Sequence, residues 1–113
     1  MRILWYDKLY VGDRARKKQK KLLWKVQHCA GLPGVYLLTM PSNEENVLDI
    51  IHAVYLKQPV YKRRELKIVG IAVSYAEALQ VLEQIAGDVY RETEGLDIRS
   101  YLNKEHKFKK WRV

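Results

Sequence analysis

Two apolar runs, each followed by the same helix-start motif, constrain the fold of this chain more than any other feature. The runs are VYLLTM (35–40) and LKIVGIAV (66–73). The motif is S-x-x-E, formed by Ser42 and Glu45 after the first run and by Ser74 and Glu77 after the second. Short apolar runs are typical of strands buried on both faces, and S-x-x-E is the capping box that begins a helix. The sequence therefore predicts two strand–helix units in tandem.

The predicted helices span residues 47–56 (VLDIIHAVYL) and 78–90 (ALQVLEQIAGDVY). A crossover of this length implies parallel strands joined by a right-handed connection. In the second helix, the core-facing residues are predicted to be Leu79, Leu82, Ile85, Ala86 and Val89. Gly70, inside the second run, indicates a close approach of a neighbouring element.

Parallel strands would place both capping boxes at one edge of the sheet, where α/β proteins often bind ligands. Four residues at that edge are candidate ligand contacts: Ser42, Glu45, Ser74 and Glu77. Neither turn has the glycines that let a backbone approach phosphate. Plain helix capping is therefore the favoured interpretation, and no cofactor is predicted.

The first half of the chain predicts a strand followed by a basic helix. RILWYDKLYV (2–11) favours extended structure, with a break or turn at Asp7–Lys8. Gly12–Asp13 then offers a helix start, and apolar spacings of three and four indicate a helix over about 14–30. The alternative for LLWKVQ (22–27) is a strand paired with VYLLTM.

We therefore predict an α/β fold: a small single-domain sandwich with about three main strands, including a central parallel pair, and about three helices. The length of 113 residues suits a single core. The predicted α/β domain spans residues 1–103, and residues 104–113 form a basic C-terminal tail.

Charge is the main functional clue. Lys and Arg number 21 against 13 Asp and Glu, for a formal net charge of +8, which favours anionic partners. The candidate anion or nucleic-acid contacts are Arg14, Arg16, Lys17, Lys18, Lys20, Lys21, Lys62, Arg63, Arg64, Lys107, Lys109 and Lys110. The competing interpretation is that these residues form solvated surfaces. Trp5, Trp24 or Tyr10 would stack on unpaired bases if exposed, but Trp24 lies in an apolar run and is assigned to the core or an interface.

No metal site or catalytic set is predicted. The three histidines, His28, His52 and His106, are widely spaced, whereas zinc needs three or four converging ligands. Cys29 falls on the apolar side of the predicted helix, so an inert buried thiol is favoured over a nucleophile. A single cysteine fits a reducing compartment, so a cytoplasmic location is expected. The sequence shows no apolar run long enough for a membrane span and no export signal.

Three functions follow from these features, in this order. The first is a non-catalytic binding module that acts through a protein partner or as a homo-oligomer, supported by eight tyrosines, a residue type favoured at interfaces. The second is sequence-nonspecific nucleic-acid binding through the basic clusters. The third is a small enzyme with a site at the sheet edge, and the missing catalytic motif argues against it.

Overall fold

The computed structural model describes residues 2–28, 32–41, 48–58, 65–93, 98, 101–102 and 108–110. In these residues the chain forms a five-stranded mixed sheet with the strand order β3-β2-β4-β1-β5. The strands are β1 (Arg2–Val11), β2 (Tyr36–Thr39), β3 (Asp49–His52), β4 (Glu65–Ala72) and β5 (Phe108–Lys109). The helices are α1 (Asp13–Arg16), α2 (Gln19–Gln27) and α3 (Tyr75–Thr93), with a 3-10 helix over Ala53–Lys57. The predicted α/β class and helix number are confirmed, whereas the predicted strand count was too low.

The central parallel pair consists of β1 and β4, with Ile3 opposite Leu66 and Val11 opposite Ile71. The sequence predicted that VYLLTM and LKIVGIAV would be parallel, and this was wrong. β2 runs antiparallel to β4, with Tyr36 opposite Ala72. Strand direction depends on non-local pairing, which a local strand–cap–helix pattern does not determine.

The helix predicted over residues 47–56 was also wrong for its described part. Asp49–His52 is a strand, and it pairs antiparallel with β2 from Thr39 to Tyr36. Its centre is the β-branched pair Ile50 and Ile51, which suits a half-buried sheet surface. The chain then turns through the 3-10 helix, whose Ala53 and Leu56 are buried.

The sheet separates two apolar layers. On one face, α1, α2 and the 3-10 helix pack residues such as Ala15, Val26 and Leu56 against the strands. On the other face, α3 packs Val81 and Ile85 against residues including Leu38, Val69 and Ala72. β4 contributes to both layers, as expected of a central strand buried on both sides.

The basic helix is confirmed over 19–27, and the alternative strand for LLWKVQ is wrong. The helix is not continuous from residue 14, because the chain turns at Lys17 and Lys18 between α1 and α2. The Lys18 N–H donates to the Ala15 carbonyl at 3.0 Å, and α2 then begins.

The predicted core-facing residues of α3 are confirmed except for Leu79, since Ile85 and Val89 are buried and Leu82 and Ala86 pack against the same layer. The residues of α3 buried in this layer are Ala78, Val81, Ile85 and Val89, whereas Leu79 is 40% exposed. A Cβ at Gly70 would lie 3.0 Å from Val81 Cγ1. The close approach indicated by this glycine is therefore present, and it brings the Val81 side of α3 onto β4. Among the described residues, no helix is both long and apolar enough to cross a membrane.

Candidate functional site

The carboxyl ends of β1 and β4 lie side by side and lead into α1 and α3. The Gly12 N–H donates to the Ile71 carbonyl at 2.9 Å, which links the two ends. The carboxyl end of β2 lies at the opposite end of the sheet, because Thr39 is opposite Ile68. The predicted parallel arrangement, which would have placed both capping boxes at one edge of the sheet, is therefore wrong. Ser42 and Glu45 themselves lie outside the described residues.

Glu77 fills the edge between β1 and β4 with a buried carboxylate. The Ser74 hydroxyl caps α3 by accepting the Glu77 N–H at 3.0 Å, as the sequence motif predicts. The Glu77 carboxylate accepts backbone N–H groups from Arg14 at 2.8 Å, Ala15 at 3.3 Å and Val73 at 3.1 Å. It thus caps the start of α1 from a distant part of the chain, a contact that the local motif does not reveal. The backbone donors that an external anion would use are already occupied.

Six of the predicted cations form one exposed surface across α1 and the start of α2. We call these residues the cationic surface: Arg14, Arg16, Lys17, Lys18, Lys20 and Lys21. A shallow depression of about 600 Å³ is lined by Gln19 and by all of these cations except Arg14. In the described part of the chain, none of the six forms an ion pair with a carboxylate. Within the residues that the structure describes, no direct ion pair therefore neutralises these six side chains.

Trp24 lies on α2 three and four residues beyond Lys21 and Lys20, so it neighbours them on the helix surface. Trp24 is 49% exposed, so of the two predicted assignments, core or interface, the core is wrong and the interface stays a prediction. The ring stacks on His28 with centroids 4.1 Å apart and an interplanar angle of 27°. An exposed aromatic residue, held by stacking on His28, thus lies beside the cationic surface.

The other predicted contacts divide into three groups. Lys62, Arg63, Arg64 and Lys107 lie outside the described residues. Lys109 and Lys110 are exposed, and Lys109 lies on β5 opposite Trp5, within the segment predicted as a tail. Trp5 itself is buried and donates its Nε1–H to Gln27 at 2.9 Å, so it does not offer a ring to a ligand.

A polar pocket of about 530 Å³ lies between β1 and the second half of α3. We call it the β1–α3 pocket, and its lining includes Tyr10 and the charged or amide side chains of Lys8, Arg16, Gln84, Asp88, Arg91 and Glu92. It forms where β1 bulges, because β1 advances from Trp5 to Tyr10 while β4 advances only from Ile68 to Gly70. The break predicted at Asp7–Lys8 was the sequence signal for this bulge.

A hydrogen bond between Tyr10 and Asp88 links β1 to α3 across the pocket. The Tyr10 hydroxyl donates to Asp88 Oδ2 at 2.6 Å, and Arg91 pairs with the other oxygen of the same carboxylate. Burial, followed by the hydrogen bond and the negative charge of Asp88, raises the pKa of Tyr10 above its ordinary value. The phenol, which is protonated at neutral pH like any tyrosine, therefore remains a hydrogen-bond donor to Asp88 at more alkaline pH as well.

A second exposed group of rings lies at the end of the sheet where β2 begins and β3 ends. His52 stacks on Tyr36 with centroids 4.7 Å apart, and its Nε2 accepts the Gly34 N–H at 2.8 Å. Tyr75 packs edge-on against Tyr36, and Tyr55 packs edge-on against His52. We call Tyr36, His52, Tyr55 and Tyr75 the aromatic cluster. Tyr55 and Tyr75 are 46% and 53% exposed.

Among the described residues, no group of three or more His, Cys, Asp or Glu side chains could hold a metal ion. Cys29 and His106 lie outside those residues. The fold and these surfaces define a small α/β domain with a mixed sheet. No protein-family model, curated protein or solved structure matches the chain.

Proposed function

We propose that this protein is a non-catalytic module that binds single-stranded nucleic acid with little dependence on sequence, through the cationic surface and Trp24. The observation that carries this proposal is the half-exposed Trp24 ring beside cations without carboxylate partners among the described residues. Lysine and arginine side chains bind the phosphate backbone regardless of sequence. An exposed aromatic ring adds stacking on unpaired bases, which a duplex does not offer. The position of Trp24 thus moves nucleic acid ahead of a protein partner.

The local geometry supports this assignment in a second way. α2 has no acidic residue in its first turn, where Lys20 and Lys21 oppose the helix dipole. A solvated helix face would gain stability from acids at these positions. Cations held there against local preference are expected at a surface that binds anions. We further propose a cytoplasmic setting, which the single cysteine favours.

The test is fluorescence anisotropy with a labelled single strand of unstructured sequence and a duplex of equal length, at about 50 and 200 mM salt. We expect saturable binding that weakens steeply with salt. Lys17→Ala with Lys18→Ala should weaken binding to both probes and reduce the single-strand salt slope by roughly 0.7 for each phosphate that is no longer neutralised. Trp24→Ala should weaken single-strand binding by about 1–3 kcal/mol and leave duplex binding unchanged.

The matched control is Arg2→Ala with Lys57→Ala, which removes the same charge from exposed positions outside the cationic surface. It should retain most of the affinity of the wild type. Absence of binding at low salt would refute the proposal. An equal loss in the control and the Lys17/Lys18 variant would show that net charge, rather than this surface, attracts the probe.

A protein partner is the second candidate function, and the aromatic cluster favours it. Exposed tyrosines suit an interface because they bury a large area with a polar end. We take a second copy of this chain as the partner to test. Sedimentation velocity over a range of protein concentrations should show self-association that Tyr55→Ala with Tyr75→Ala removes and Tyr90→Ala, a 58% exposed control on α3, does not. A monomer at every concentration would remove this candidate.

A further inference from the structure

The β1–α3 pocket and the cationic surface share one residue, Arg16. Its side chain lines both the 530 Å³ pocket and the depression over residues 16–21. Nη2 of Arg16 lies 3.5 Å from the Val11 carbonyl oxygen, so the guanidinium folds back toward the end of β1. A guanidinium has five N–H donors. Most of them remain for an anion at the junction between the two features.

The pocket has the size and chemistry of a site for one nucleotide base. Its volume of about 530 Å³ falls within the usual range of about 300–1,000 Å³ for small-molecule sites. The Tyr10 ring supplies an aromatic wall, and Gln84 supplies an amide that can both donate and accept. The carboxylate of Asp88 is fixed by Tyr10 and Arg91, which orients its remaining lone pairs. Aromatic rings and fixed polar groups of this kind recognise unstacked bases.

The β1 bulge gives the pocket its shape. Residues 6–9 have no continuous register with β4, although pairing resumes at Tyr10 and Gly70. Bulges of this kind redirect side chains and are frequent beside functional sites. Lys8 lies within this register break and Tyr10 at its end, and both line the pocket together with Gln84 and Asp88 of α3.

We propose that the β1–α3 pocket receives one unstacked base of a bound single strand, while Arg16 holds the phosphate of that nucleotide. The neighbouring phosphates then follow the cationic surface from Lys17 to Lys21. This inference rests on the proposed function and adds a base-dependent contribution to it. Affinity should therefore require a base, not only a charged backbone.

The experiment compares two labelled single strands of equal length and charge, one with bases and one wholly abasic. Gln84→Tyr fills the pocket from an exposed helix position without changing charge or removing a buried contact. Gln80→Tyr is the matched control, because Gln80 is also exposed on α3 and does not line the pocket. Circular dichroism of each variant confirms that it is folded.

We expect the wild type and Gln80→Tyr to bind the strand with bases about a hundredfold more tightly than the abasic strand, because Trp24 and the pocket each contact one base and one stacked base is worth about tenfold. Trp24→Ala should retain part of this preference, and Gln84→Tyr combined with Trp24→Ala should abolish it. If Gln84→Tyr binds both strands as the wild type does, the pocket proposal is wrong and the proposed function stands. If neither strand binds the wild type, the proposed function fails and the pocket proposal fails with it.

Discussion

At the residue scale, the Glu77 carboxylate leaves no room for a side chain at Gly12. A Cβ at Gly12 would overlap the Glu77 carboxylate, although the φ of −60° at this glycine suits any residue. Gly12→Ala should therefore act by displacing Glu77, and we expect it to destabilise the fold by about 1–3 kcal/mol, as overpacking usually does. Urea unfolding measures the loss.

A double-mutant cycle isolates this contact. Glu77→Ala alone should cost at least about 3 kcal/mol, because it leaves the N–H groups of Arg14, Ala15 and Val73 without their acceptor. Once Glu77 is truncated, the added Gly12→Ala should cost almost nothing. Additive losses from the two substitutions would contradict the proposed overlap.

At the scale of elements, the sequence predicts what local chemistry controls. The Ser74 cap and the start of α3 follow from S-x-x-E, and the apolar spacing after Gln19 predicts α2. Asp49–His52 was misassigned because a short apolar segment fits either a helix or a strand, and pairing with β2 decides between them. The direction of β2 is likewise set by its neighbours in the sheet.

The link between β1 and α3 through Tyr10 and Asp88 makes stability depend on pH in the alkaline range. The pKa of Tyr10 is raised in the folded protein by burial and by Asp88. The unfolded phenol has its ordinary pKa of about 10. The stabilisation is therefore fully present below about pH 10 and is lost as pH rises above that value.

We expect the free energy of unfolding to fall more steeply above about pH 10 in the wild type than in Tyr10→Phe, which has no phenol to ionise. Urea unfolding at each pH measures the difference. Parallel pH curves for the two proteins would show that the hydrogen bond from Tyr10 to Asp88 does not shift this equilibrium.

At the scale of the whole molecule, the sequence identifies the charged stretches but not the surfaces they form. Arg14–Lys21 is evident as a basic run, because its residues are neighbours along the chain. The β1–α3 pocket is not evident, because Tyr10 and Asp88 are 78 residues apart in sequence. The exposure of Trp24 also depends on which side of α2 meets the sheet, and Leu22 and Val26 occupy that side.

Reversing the charge of Lys20 and Lys21 should raise the stability of the fold and lower the affinity for nucleic acid. Lys20 and Lys21 lie in the first turn of α2, and no acid accompanies them there. Acids near a helix N-terminus are stabilising and cations unfavourable, each by about 0.3–1 kcal/mol when exposed. Lys20→Glu with Lys21→Glu should therefore raise the free energy of unfolding at low salt and strongly weaken single-strand binding. Urea unfolding and anisotropy on the same preparations measure both quantities, with Lys20→Gln and Lys21→Gln as an intermediate control.

Added salt should also change stability and strand affinity in opposite directions. Screening weakens the repulsion within the cationic surface, so the wild type should gain stability between about 50 and 200 mM salt while its affinity for the strand falls. The charge-reversed variant should show a smaller response in both measurements. Cations that lower stability and raise affinity are expected at a binding surface, since natural proteins depart from local preference mainly where function requires it. A variant that loses both stability and affinity would instead show that Lys20 and Lys21 support the fold.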